Sequence, residues 1–66
     1  MTFQEHEGVV LPRDLPEAGL VAGTVGAVVW LYPGGEDFEV EFFDADGNTI
    51  DVVTVSENDI QPRVTP

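Results

Sequence analysis

Residues 36–48 read EDFEVEFFDADGN. From Phe38 to Phe43 apolar and acidic residues alternate with a period of two. Phe38, Val40 and Phe42 therefore share one face, and Glu39, Glu41 and Phe43 share the other, the pattern of a half-buried β-strand. DADGN at 44–48 turns the chain, with Gly47 or Asn48 suited to a positive φ. TIDVVTV at 49–55 then returns as a second strand. Both of its parities carry valine or isoleucine, so the pattern does not fix which side faces inward.

Outward from this hairpin the same grammar repeats. TVGAVVWLY at 24–32 is rich in β-branched and aromatic residues and reads as a strand, with Gly26 predicting a bulge or sharp bend. PGG at 33–35 is a turn. Val9, Val10 and Leu11 form a short first strand that stops at Pro12. RDLPEAGLVAG at 13–23 has no helical period that survives Pro16, so it reads as an irregular loop, with Leu15 and Leu20 folded back over one end of the core. SENDI at 56–60 fits a single helical turn, with Ser56 capping near Asp59 and Ile60 plugging the core. QPRV at 61–64 supplies a last strand. The fold class that results is all-β: a small SH3-like (KOW-like) five-stranded antiparallel barrel with a short helical turn before the last strand. Residues 8–64 make the single domain, and residues 1–7 an N-terminal tail.

With 66 residues the chain holds one small domain, and it has no cysteine for a disulfide or a thiolate metal site. Thirteen acids oppose two cations, Arg13 and Arg63, for a net charge of −11. Such a field repels nucleic-acid phosphates and anionic membranes and attracts basic proteins. The plainest reading of the acids is solubility. MTFQEHEG lacks the basic-then-apolar layout of a signal peptide, and the apolar stretch from Val25 to Tyr32 is too short to span a bilayer. A soluble cytoplasmic protein is expected.

The run LPEAGLVAGTVGAVVWLYPGG carries G-L-x-x-G-x-x-G-x-V on residues 19–28 and is similar to KOW-type SH3-like modules. Together with FEVEFFDADGNTIDVVTVSENDIQP, the stretch from Val9 to Pro62 resembles the small bacterial family known as domain of unknown function 4926. That resemblance implies an SH3-like barrel, a short reading frame that in some members adjoins a second one as toxin–antitoxin or immunity pairs do, and no defined catalytic residues. The basic loop residues of nucleic-acid-binding KOW modules are absent from this sequence.

DADGN is not an EF-hand loop, because glycine comes fourth rather than sixth and no glutamate closes the site. A barrel of this size offers no pocket deep enough for paired-carboxylate chemistry. His6 lies in the tail, and capping accounts for Ser56. No catalytic residue, metal ligand or cofactor site is expected. Trp30 and Phe43 remain. If the loop at 33–36 holds four residues, Leu31 pairs with Phe38, Val29 with Val40 and Ala27 with Phe42, all inward, and Trp30 and Phe43 point outward. A five-residue loop instead turns Trp30 and Tyr32 into the core. The outward reading gives an aromatic pair bordered by acids, and hence a partner-binding set of Trp30, Glu39, Glu41, Phe43 and Asp44. The function expected is a non-enzymatic interaction module that neutralises or regulates a basic protein partner, as an antitoxin or immunity protein does. The alternatives are a KOW-type nucleic-acid binder and a weak, structural homo-oligomer. No nucleic-acid or membrane partner is expected.

Like charges on so small a surface oppose compaction, and salt screens them. Raising ionic strength from about 0.01 M to about 1 M should therefore raise the melting temperature. A flat or falling melting temperature over that range would show that the acids do not strain the fold.

Overall fold

A computed structural model describes residues 3–63. Its strands are β1 (Gly8–Val10), β2 (Val25–Leu31), β3 (Asp37–Phe43), β4 (Thr49–Ser56) and β5 (Gln61–Pro62). All pair antiparallel in one sheet of order β4-β3-β2-β1-β5. The helical segments among the described residues are two 3₁₀ turns, Pro16–Ala18 and Glu57–Asp59. The all-β reading, its five strands and the turn before the last strand are thus present. The loop at 13–23 is more ordered than its composition suggests: Pro16 opens a 3₁₀ turn, and Leu15 and Leu20 bridge to each other.

The sheet does not close into a barrel. β4 and β5 are its edges, and among the described residues no ladder joins them. The reason is the last strand, which was expected over 61–64 but is two residues long and ends at Pro62, a residue with no N–H to offer. The edges are nonetheless chain neighbours, linked only by residues 57–60. Laid flat, five strands would separate them by about 19 Å, whereas a 3₁₀ turn advances only about 2 Å per residue. The link therefore forces the sheet to curl, and the curl makes a core without a second layer. Val9, Val28, Phe38, Val40 and Phe42 are fully buried on the concave side, with Leu11, Leu20, Val55 and Ile60 closing its ends.

Residues 3–7 are part of the folded domain rather than a tail, with Phe3 in the core and the others nearer the surface. Phe3 is 3% exposed and meets Phe38 edge-on, with ring centroids 5.5 Å apart. The His6 N–H donates to the Val28 carbonyl at 2.7 Å, and the Val28 N–H to the Glu7 carbonyl at 3.0 Å, extending the β1–β2 pairing toward the N-terminus. A turn from Gln4 to Glu7 makes this possible, with His6 at φ 70°, where a non-glycine residue is uncommon. The domain thus begins before Gly8. Of the boundaries assigned from sequence, residues 1, 2 and 64 lie outside the described residues.

The β2–β3 register mixes agreement and correction. Leu31 faces Phe38 and Trp30 faces Glu39, as the four-residue loop requires. A bulge between Val28 and Trp30 then slips the pairing by one, so Val28 faces Val40 and Gly26 faces Phe42. Val28 and Gly26 take the inward places expected for Val29 and Ala27. The bulge is at Val29, and Gly26 serves a different purpose. A Cβ there would lie 2.7 Å from the Glu41 carbonyl oxygen, 2.8 Å from a Val40 methyl and 2.9 Å from the Phe42 ring.

Two substitutions test this packing. Gly26→Ala should cost about 1–3 kcal/mol in urea unfolding, because the contacted atoms are backbone and buried core. Phe3→Ala should cost about 3 kcal/mol, as for a buried aromatic. A Phe3→Ala loss within about 0.5 kcal/mol, the usual range for a surface change, would return residues 3–7 to the status of a tail.

Candidate functional site

The convex face of β2, β3 and β4 displays three cross-strand rows, set by the ladder registers: Trp30–Glu39–Thr54, Ala27–Glu41–Val52 and Val25–Phe43–Thr49. Glu39 and Glu41 occupy the middle strand, one pleat repeat or about 7 Å apart. Apolar residues flank them on β2, and Val52 and Ile50 flank them on β4. Ile50 is the extra residue where the β3–β4 register slips beside Phe43. That slip brings it to the surface, 49% exposed, near Val52 at 47%.

Neither glutamate hangs free. The Thr54 hydroxyl donates to the Glu39 carboxylate, and the Thr49 hydroxyl donates to the Glu41 carboxylate at 2.5 Å. Both carboxylates are held over the sheet with one oxygen engaged and the other available. Among the described residues no arginine lies within 4 Å of any carboxylate; the Arg13 guanidinium donates instead to the Asn58 carbonyl at 2.8 Å. His6 Nε2 lies 3.9 Å from the Glu5 carboxylate, and both side chains are exposed.

Of the residues picked from sequence, Trp30 is outward and 55% exposed, and Phe43 is half-buried on the same face. They are not a pair. Trp30 sits opposite Glu39 and Phe43 opposite Val25, so four residues of β3, about 13 Å, separate their rows. Asp44 is drawn into the hairpin. Its carboxylate accepts the N–H groups of Asp46 and Asn48, each at 2.9 Å, and its carbonyl accepts that of Gly47, which turns at φ 86°. Phe43 contributes instead to an open apolar cleft of about 440 Å³ shared with Val21, Val25 and Ile50. Sequence reasoning missed that cleft. The signal was the doubled parity of 49–55, which leaves an isoleucine and a valine for the surface.

Among the described residues no three His, Asp or Glu side chains gather as metal ligands, and the Ser56 hydroxyl is engaged with Asp59 at 3.3 Å. No helix among them is long and apolar enough to cross a membrane.

A family model described as Domain of unknown function (DUF4926) matches residues 5–62. No curated protein and no solved structure matches the chain.

The role of Asp44 is testable apart from any partner. Asp44→Ala frees two backbone N–H groups and should cost about 1 kcal/mol of stability. Asp44→Asn keeps an acceptor oxygen and should lose less. Equal losses in chemical denaturation would show that charge, and not the turn geometry, is what Asp44 supplies.

Proposed function

The chain belongs to the DUF4926 family, and we propose that this member is a non-enzymatic interaction module for a basic partner protein. The observation that carries this reading is the pair Glu39 and Glu41, held by Thr54 and Thr49 at the centre of a face otherwise made of apolar groups. A carboxylate already fixed in place loses little side-chain freedom when an arginine or lysine binds it, so more of the attraction is kept as affinity. The net charge of −11 steers a cation toward the face, and Trp30 at one end and the Phe43 cleft at the other offer apolar seats beside the charge. Such a surface suits neutralisation of a basic protein, an antitoxin- or immunity-like role in the cytoplasm. We read the curled sheet as an SH3-like barrel left open between β4 and β5. A KOW-type role in nucleic-acid binding has the charge against it, since each phosphate would approach carboxylates.

Trp30 is the single tryptophan of the chain, so its fluorescence reports on this face. Titration with a short peptide alternating arginine and leucine should shift Trp30 emission and bind more weakly as salt rises. Glu39→Gln with Glu41→Gln keeps acceptor oxygens for the threonines and should weaken binding about tenfold, or ~1.4 kcal/mol. Binding that ignores both the salt and the double substitution would defeat the proposal.

A further inference from the structure

The open side of β4 carries a second arrangement of carboxylates, and its purpose differs. In an antiparallel ladder, successive residues send their N–H and C=O groups alternately toward the partner strand and away from it. The N–H of Asp44 reaches the Asn48 carbonyl and that of Glu57 reaches the Glu36 carbonyl, which fixes the phase. Asp51, Val53 and Val55 point to β3, and Val52, Thr54 and Ser56 point to the open edge. Two of those three edge donors are already taken. The Val52 N–H donates to the Asp51 carboxylate at 2.8 Å, and the Ser56 N–H donates to the Asp59 carboxylate at 3.0 Å. The opposite edge is blunted by other means. Arg63 donates its N–H inward to the Gly8 carbonyl, so the outward position of β5 falls on Pro62.

Left unplugged, β4 would be a hazard. It is eight residues long, and Val52–Ser56 holds five consecutive uncharged residues, four of them β-branched. Antiparallel pairing about a two-fold axis at Thr54 would set Val52 of one chain against Ser56 of the other, matching uncharged side chains and edge groups alike.

We propose that β4 is a self-pairing edge held shut by Asp51 and Asp59, and that its occupant when opened is β4 of a second copy of this chain. The plug is the hydrogen bond to the backbone N–H, with the negative charge only an addition to it. This holds whether or not the convex face binds a basic partner.

Removal of charge and removal of the acceptor separate the two effects. Asp51→Ala with Asp59→Ala frees both N–H groups and should strengthen self-association at least about tenfold, ~1.4 kcal/mol, by analytical ultracentrifugation at about 0.15 M salt. Asp51→Asn with Asp59→Asn sheds the same charge yet keeps acceptor oxygens, and should self-associate no more strongly than wild type. Glu5→Ala with Glu17→Ala sheds two charges away from the edge and should do likewise. In the associated alanine variant, amide exchange should slow at Val52 and Thr54. A folded alanine variant that remains monomeric overturns the proposal, as does equal association of the asparagine or the Glu5/Glu17 variant. If loss of Asp59 unfolds the turn, Asp51→Ala alone decides by the same criteria.

Discussion

With no Cβ on Gly26, the Phe42 ring and a Val40 methyl occupy the space directly over β2, and the Glu41 carbonyl lies close beside it. Any Cβ at position 26 would force these atoms to shift, and the β2–β3 register is built around that approach. It places Gly26 opposite Phe42 and Val28 opposite Val40, and the two strands enter the core as one surface. Because the loop fixes Leu31 opposite Phe38 at the other end, one residue is left over between the two fixed points. Val29 is that residue, and the bulge takes it up. The same bulge leaves Trp30 outward. The inner packing and the outer face are thus consequences of one close contact.

This explains what the sequence discloses and what it conceals. β3 is legible residue by residue, since alternating phenylalanine, valine and glutamate fit only one facing. Its hairpin is legible because Gly47 adopts the positive φ that the turn needs. The bulge is not, because Val28 and Val29 are the same residue and periodicity cannot say which of them is skipped. Gly26 announces something unusual in a strand, but a bend and a close approach leave the same mark. Phe3 is hidden for another reason: a lone phenylalanine among polar neighbours has no period, and only the unoccupied end of a curled sheet gives it a place. As for the site, Glu39 and Glu41 could be read from alternation, whereas the facing of Trp30 hangs on the length of the loop at 33–36. The separation of Trp30 from Phe43 and the exposure of Ile50 depend on two register slips that no single strand encodes.

The abundance of acids also looks different once their partners are known. Glu7, Asp14, Asp44, Asp51 and Asp59 each accept a backbone N–H, from Gln4, Ala22, the hairpin, Val52 and Ser56 respectively. A small sheet with short strands leaves many donors outside its ladders, and water satisfies them only loosely. Carboxylates are the strongest acceptors among the side chains and hold such donors in a fixed geometry. Part of the negative charge is therefore structural. It stiffens turns and an edge, and it simultaneously produces the field that would draw a basic protein.

The curl has a further consequence, for the order in which the chain assembles. β2, β3 and β4 form a meander whose pairings span short stretches of sequence and close small loops. The β1–β5 ladder sets Val9 opposite Pro62 and so joins residues separated by nearly the whole chain. Contacts of that separation recover their closure entropy only after the intervening chain is ordered. The meander should accordingly act as the folding nucleus, with the two terminal segments docking late and Phe3 and Ile60 sealing the core as they arrive. In the native state those segments would be the first to part, opening the hydrophobic interior while the hairpin at 44–48 stays intact.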